Sequence, residues 1–371
     1  MKTSISRIET FSVWYPTAGY FKFFAGPKGR PAGRPTLVIK VTAEDGSVGW
    51  GQSVPSPRWS YETLESVQTT ITNYLAPELI GLDVFDHEAI QAAMQGVIAN
   101  SFSTGQPICK AGVDLALFDL TGKRLGQSAA QRWQRSCREH LTLSWTVNAH
   151  SIDEAEGAVT AGLAQGYRHF NVKVAPGTKL DLELCRLVRR FAPGGFLWAD
   201  ANGGYDEATA LAVAPRLADL GVAVLEQPLP ANRLTGYRAL KRQGALPILM
   251  DEGIVSHIEL EEFIKLKLLD GVAIKVSRCG GLTEARRQIE TALDAGLMFL
   301  GSGLTDPDIS LAASLALFGA YDLEHAAALN APQFLEGSIL RHPFRVVAGE
   351  LGVPTGPGLG IEIEETRLRA G

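Results

Sequence analysis

The chain has 371 residues, of which 46% are hydrophobic and 20% are charged, and its formal net charge is -5. This length suits two domains, or a barrel of about 250 residues with additions, and the composition argues against intrinsic disorder. The weakly acidic charge, without a run of basic residues, argues against nucleic acid as a partner.

The cysteines and the N-terminus bear on the compartment. Four scattered cysteines, at positions 109, 137, 185 and 279, form no Cys-x-x-Cys pair and predict neither a zinc site nor a disulfide framework. The first residues lack the apolar stretch of a secretion signal, and no apolar run approaches the roughly 18 to 20 residues that span a bilayer. We expect a cytoplasmic protein with reduced thiols that does not interact with membranes, and we expect a homo-oligomer.

The first 125 residues or so predict an α+β domain. Runs rich in Val, Ile, Thr and aromatic residues at 5–14 and 36–43 predict strands, and Asp45-Gly46 predicts a hairpin turn after the second. The Gly/Pro/Arg-rich stretch between them, roughly 16–35, predicts a mobile loop that closes over a ligand. Three helices are predicted in this domain, at 61–76, 86–99 and 107–125.

From about residue 141 the pattern changes to a regular alternation of strands and helices. Strand starts recur about every 24 to 28 residues, which is the length of one βα unit. This rhythm predicts a parallel barrel rather than a doubly wound sheet. The eight predicted strands are 141–147, 169–174, 196–200, 222–226, 246–250, 271–276, 297–301 and 324–329.

Charged residues stand at the ends of five consecutive predicted strands, where a barrel has its active site. In chain order they are Lys173, Asp200, Glu226, Asp251 and Lys275. Adjacent strands are about 4.8 Å apart, so the three carboxylates can converge on one cation, and oxygen ligands favour Mg²⁺ over zinc. A single strand-end Asp is more simply a helix N-cap, but three on adjacent strands favour a metal site.

The two lysines lie four strands apart, on opposite walls of the predicted barrel. Lys173 and Lys275 therefore flank the carboxylates and are candidates for proton transfer. A nearby cation and partial burial both lower the pKa of a lysine, which makes a neutral amine base accessible near neutral pH. Alternate residues of a strand point to opposite faces, which selects Asp251 rather than Glu252 as the ligand.

These strand-end residues resemble those of the enolase superfamily, in particular its muconate lactonizing enzyme subgroup. The resemblance extends over nearly the whole chain. The resemblance rests on Asp-x-Asn at 200–202, Glu-Gln-Pro at 226–228, Asp-Glu at 251–252, and Lys275 followed by Gly-Gly-Leu at 280–282. It implies a modified (β/α)7β TIM barrel over residues 126–334. It also implies an N-terminal α+β capping domain over residues 1–125, completed by the tail from about 335 to 371.

The resemblance also assigns roles to single residues. Asp200, Glu226 and Asp251 would bind Mg²⁺, and Lys173 and Lys275 would act as the bases. Three further polar residues would support them from behind: Asn171, Asn202 and Glu252.

Three positions depart from common patterns of the superfamily. The usual Lys-x-Lys of strand two is Asn171-Val172-Lys173, so only the second lysine is kept. Strand seven, 299–303, has no histidine of the mandelate racemase type. Strand eight ends in Ala328-Leu329-Asn330 rather than in acidic residues, which disfavours dipeptide epimerisation.

Metal binding to a substrate carboxylate stabilises the enediolate that forms when the adjacent proton leaves. We expect a racemase or epimerase of an amino-acid-like or related carboxylic acid. The alternatives are a dehydratase of a hydroxy acid or hydroxyproline-like compound, and a cycloisomerase. A degenerate barrel that only binds a ligand is the non-enzymatic alternative.

The cap is expected to choose the small carboxylate substrate. Its loop supplies aromatic side chains that could hold a ring or an amine, and basic residues that could hold a second carboxylate. Tyr20 and Trp59 are the cap candidates, and Ser302 and Asn330 the barrel candidates. The basic residues of the cap are Lys22, Lys28, Arg30, Arg34 and Arg58.

Overall fold

A computed structural model describes residues 3–19, 21, 23–24, 32–101, 103–175 and 177–368. The chain begins with a three-stranded antiparallel sheet of β1 (Ile5–Pro16), β2 (Gly33–Ala43) and β3 (Val48–Ser53). The predicted hairpin joins β2 to β3, and Gly46 takes a φ of +83° there, a conformation that glycine adopts without strain.

Among the helices that follow, the first two and the fourth contact this sheet. The helix Pro107–Leu125 lies directly on β3: a Cβ at Gly51 would come within 1.8 Å of the carbonyl oxygen of Gly112, so only glycine allows this approach. A π-helical turn, Ile71–Leu75, joins the first two helices. These helices are α1 (Leu64–Thr70), α2 (Ala76–Leu79), α3 (His87–Val97), α4 (Pro107–Leu125) and α5 (Ala129–Arg132).

A seven-stranded parallel sheet with outer helices makes up the barrel. Polar side chains start several of these helices; Ser151 Oγ accepts from the amide of Glu154 at 3.2 Å, and Asp206 Oδ1 accepts from that of Thr209 at 2.7 Å. The strands of the parallel sheet are β5 to β11, and β4 and β12 form a separate pair. The strands and α-helices that follow α5 are, in chain order, β4 (His140–Thr142), β5 (Ser144–Val147), α6 (Ile152–Ala164), β6 (His169–Lys173), α7 (Thr178–Phe191), β7 (Leu197–Asp200), α8 (Glu207–Asp219), β8 (Val224–Glu226), α9 (Leu234–Gln243), β9 (Ile248–Met250), α10 (His257–Lys265), β10 (Gly271–Ile274), α11 (Leu282–Asp294), β11 (Met298–Gly301), α12 (Asp308–Ala320), α13 (Ala331–Phe334) and β12 (Glu350–Gly352).

The eighth predicted strand is reduced to two bridging residues. The parallel sheet runs in the order β11-β10-β9-β8-β7-β6-β5. Ala327 forms a parallel bridge to Leu143, next to β5, and Ala328 forms one to Ser302, next to β11. The amide of Ala328 donates to the carbonyl of Gly301 at 2.8 Å. These bridges join the two edges, so the sheet closes into the predicted modified barrel.

The first predicted barrel strand, 141–147, is divided, and the tail explains why. Residues 140–142 form β4, which pairs antiparallel with β12 of the tail. The tail also reaches the N-terminal part, because Lys40 is ion-paired with Glu365 at 2.8 Å and Asp119 accepts from the amide of Leu359 at 3.0 Å. The tail therefore contacts both the N-terminal part and the barrel. Among the described residues, no helix is both long and apolar enough to cross a membrane.

Candidate active site

The register of the parallel strands brings three acidic side chains together at one end of the barrel. Lys173 lies opposite Asp200 across β6 and β7, and Asp200 lies opposite Glu226 across β7 and β8. Asp251 follows β9 directly. One oxygen of each of the three carboxylates lies within 4.8 Å of the others, and all three residues are buried. The convergence that the sequence predicts is present in the structure.

The two lysines contact this carboxylate cluster from its two sides. Lys173 Nζ donates to Asp200 Oδ2, and Lys275 Nζ donates to Asp251 Oδ2. The indole ring of Trp59 covers Lys275, with Nζ 4.5 Å from the ring centroid. The arrangement places one amine on each flank of the three carboxylates, as an acid/base pair requires.

A buried arginine, which the sequence analysis did not single out, holds the far side of Asp251. Arg278 is 2% exposed, its Nη1 donates to Asp251 Oδ1, and its Nη2 donates to the carbonyl of Ala273 at 2.9 Å. The sequence feature that could have identified Arg278 is its position three residues after Lys275, because the turn after a strand can bring such a residue back to the strand end.

Burial and neighbouring charges shift the pKa values of these groups. Burial, with the charges of Asp200 and Asp251, raises the pKa of Glu226 well above its usual range. Burial also acts to raise the pKa of Asp251, but the charges of Lys275 and Arg278 outweigh burial, so the pKa of this carboxyl is lowered.

Burial alone would lower the pKa of Lys173, but Asp200 and Glu226 outweigh it, so this pKa is raised. The sequence-based expectation of a lowered lysine pKa included the charge of a cation. The neighbouring side chains by themselves raise the pKa of Lys173 instead of lowering it.

The donor set fits a divalent cation. Both carboxylate oxygens of Glu226 are buried, and neither has a hydrogen-bond partner. An unpartnered buried carboxylate between two other carboxylates is costly unless positive charge joins it. Asp200, Glu226 and Asp251 offer only hard oxygen ligands, the kind that Mg²⁺ prefers.

Three asparagines add unpartnered amide groups to the walls of the cavity. Asn202 has a φ of +46°, and neither atom of its amide has a partner. The Nδ2 of Asn171 and the Oδ1 of Asn330 are also unpartnered, while Nδ2 of Asn330 donates to Thr146 Oγ1 at 3.2 Å. All three line the cavity beside the lysines. Buried polar groups of this kind are available for hydrogen bonds to a ligand.

The remaining sequence candidates fall into three groups. Trp59 and Ser302 line the cavity, together with Phe21 and Phe24 of the cap. Glu252 lies beside the carboxylate cluster but is not one of its three members, and its Oε2 has no hydrogen-bond partner. Tyr20 lies outside the described residues.

An aromatic residue that the sequence analysis missed packs against the cavity-lining rings of Phe21 and Phe24. Phe334, in α13, stacks on Phe21 with a centroid distance of 4.7 Å and meets Phe24 edge-on at 6.3 Å. Tyr61, another cap aromatic, is 64% exposed and does not line the cavity.

Comparison with protein families identifies two matching regions. Residues 32–132 match the mandelate racemase / muconate lactonizing enzyme N-terminal domain, and residues 153–367 match the enolase C-terminal domain-like family. Together these matches include β2, β3 and every strand-end residue described above.

Individual relatives cover nearly the full length. A chloromuconate cycloisomerase from Cupriavidus necator is 30% identical over 342 residues, 90% of each chain. Muconate cycloisomerase 1 from Rhodococcus opacus is 28% identical over 369 residues, covering 97% of this chain and 96% of that one. The crystal structure of a muconate lactonizing enzyme from Pseudomonas fluorescens, complexed with muconolactone, superposes with a TM-score of 0.91 at 26% identity, covering 99% of both chains.

Proposed function

Because the chain belongs to the enolase superfamily, in its muconate lactonizing enzyme subgroup, we propose that it is a Mg²⁺-dependent cycloisomerase of a muconate-type dicarboxylate. The chain is an enzyme of this superfamily. The sequence analysis favoured racemisation or epimerisation, but the relatives described above are cycloisomerases, and they support the alternative instead.

The observation that carries the proposal is the pair of lysines on the two flanks of one carboxylate cluster. Lys173 contacts Asp200, and Lys275 contacts Asp251. Such a pair can hold or move a proton on either face of a substrate whose carboxylate lies at the cluster. A binding protein with a degenerate site would not need both amines there.

Asp200, Glu226 and Asp251 would hold the Mg²⁺. When bound, the cation would stabilise the negative charge that develops on the substrate carboxylate as an enediolate forms. Asn171, Asn202 and Glu252 lie around this cluster and would orient its ligands and the substrate.

The lysines account for the proton balance of a cycloisomerisation. In the direction of lactone formation, a carboxylate oxygen adds to the carbon–carbon double bond conjugated with the other carboxylate. The ammonium of one lysine then gives a proton to the α-carbon, and the amine takes one back from solvent. In the direction of ring opening, the amine removes the α-proton and the ring carbon–oxygen bond breaks.

The test is turnover of cis,cis-muconate and its chlorinated derivatives by the Mg²⁺-loaded protein. We expect loss of the ultraviolet absorbance of the conjugated diene and, in D₂O, one deuterium at the α-carbon of the lactone. Lys173→Ala and Lys275→Ala should each lower kcat by about 10² to 10⁴-fold, whereas the exposed Lys265→Ala serves as the matched control.

Two results would overturn the proposed reaction. One is the absence of lactone from every muconate at high enzyme concentration. The other is α-proton exchange in amino-acid-like acids without ring closure of muconates, which would restore the racemase interpretation.

A further inference from the structure

Arg34 of the cap lines the cavity, and none of the described carboxylates lies within ion-pair distance of it. Arg34 is the second residue of β2. It is 3% exposed, although arginine is seldom fully buried without a partner. It lines the same cavity as Lys173 and Lys275.

The hydrogen bonds of Arg34 leave part of the guanidinium unused. Its Nη1 donates to the carbonyl of Pro55 and its Nη2 to that of Val54, each at 2.9 Å. Its Nε is buried and has no partner. Main-chain carbonyls hold the side chain in place, but they do not neutralise its charge.

No carboxylate among the described residues forms an ion pair with Arg34 within 4.0 Å. The acid that acts on it is Asp306, from a greater distance; Oδ1 of Asp306 accepts from Ser277 Oγ at 2.7 Å, and its Oδ2 is unpartnered. Burial lowers the pKa of Arg34 to about 10, with Asp306 acting in the opposite direction, so the guanidinium is charged at neutral pH. A buried charge without a close counter-ion destabilises the protein.

We propose that Arg34 is the specificity-determining residue that binds a second anionic group of the substrate, separate from the group held at the carboxylate cluster. The enzyme would thereby select dicarboxylates over monocarboxylates. This inference rests on the proposed function, since it assigns the first carboxylate to the cluster of Asp200, Glu226 and Asp251. The guanidinium fork suits a carboxylate, because two parallel N–H groups can bind its two oxygens.

The cavity between the two charged ends suits an unsaturated carbon chain. Phe21, Phe24 and Trp59 line it and offer aromatic surfaces to a planar diene. A substrate with one carboxylate would leave the Arg34 charge unpaired in the closed site, which is the physical origin of the expected selectivity.

The competing role for Arg34 is purely structural. Its two hydrogen bonds hold the main chain at Val54 and Pro55, and loss of these bonds would weaken the binding of every ligand alike. The two roles differ in one measurable quantity, the ratio of affinities for a dicarboxylate and for the matching monoester.

The experiment measures dissociation constants by calorimetry on the Mg²⁺-loaded full chain. The probes are muconate, maleate and adipate, each compared with its own monomethyl ester. We expect the wild type to bind at least one diacid about 10- to 100-fold more tightly than its ester. Arg34→Gln should remove most of that preference while changing ester affinity less than about threefold. Arg58→Gln, at an exposed arginine of the same cap, is the matched control.

Several outcomes would overturn the inference. Equal affinity of the wild type for every diacid and its ester would do so without any variant. A proportional loss for diacid and ester in Arg34→Gln would assign the residue to the structural role. If Arg34→Gln does not fold, Arg34→Lys replaces it in the experiment. This variant keeps the positive charge, so loss of its preference for the diacid would also overturn the inference. Diacid-selective binding without lactone formation would refute the proposed reaction and leave the role of Arg34 intact.

Discussion

Glu62 ties the segment that carries Trp59 to the start of α4, and we predict that its ionisation makes stability depend on pH. It is 1% exposed, and its two oxygens accept from the amides of Ile108 and Cys109 at 2.8 Å each. Burial raises the pKa of Glu62 to about 7 from the ordinary value of 4.5, although the two amide hydrogen bonds and the charge of Lys110 act to lower it.

The direction of the effect follows from the raised pKa. The folded state binds the proton of Glu62 more tightly than the unfolded state does, so the contribution is fully present below about pH 4.5 and is lost as the pH rises through 7. At about 1.36 kcal/mol per pKa unit, the whole loss is about 3.4 kcal/mol, of which about 2.5 kcal/mol falls between pH 5 and pH 8.

Urea unfolding of the wild type and of Glu62→Gln at several pH values measures this contribution. The wild-type free energy of unfolding minus that of the variant should fall by about 2.5 kcal/mol from pH 5 to pH 8. The difference cancels the other groups that titrate in this range, and Glu78→Gln, at an exposed position of α2, is the control. A difference that stays constant, or that grows with pH, would refute the reasoning.

Three further substitutions test the site and its supports. Glu226→Gln should weaken Mg²⁺ binding at least about tenfold in calorimetry, because it removes a charged ligand; unchanged affinity would exclude Glu226 from the metal site. Arg278→Gln should lower the free energy of unfolding by about 3 kcal/mol, because it breaks a buried ion pair with Asp251, and wild-type stability in urea would contradict this. Gly281→Ala should cost about 2 kcal/mol or more, because φ is +103° and the new Cβ would lie 2.3 Å from Asp114 Oδ2. Gly296→Ala, also at positive φ but in open space, should cost less, and equal losses would remove the steric argument.

The candidate site illustrates what a linear pattern can predict. The spacing of the βα units places Asp200, Glu226 and Asp251 at consecutive strand ends, and parallel strands point their carboxyl ends the same way. Their convergence therefore follows from the topology alone. The flanking positions of Lys173 and Lys275 follow for the same reason.

Other features depended on contacts between distant segments. The eighth strand shrinks to Ala327 and Ala328, and residues 140–142 pair with a tail strand about 200 residues away in the chain. Strand propensity does not reveal which partner will supply the hydrogen bonds of such a segment. The stacking of Phe334 on the cap aromatics is equally non-local.

The sequence by itself determined the barrel, the carboxylate cluster and its two lysines, because each depends on a repeat or on a strand end. Of the five basic cap residues named in the sequence analysis, the structure describes Arg34 and Arg58, and only the tertiary structure distinguished these two. It buries Arg34 and leaves Arg58 exposed. Burial depends on packing between the cap and the barrel, and an isolated arginine carries no periodic signal of it. The same packing leaves Arg34 without an ion-pair partner among the described carboxylates, which no local pattern could predict.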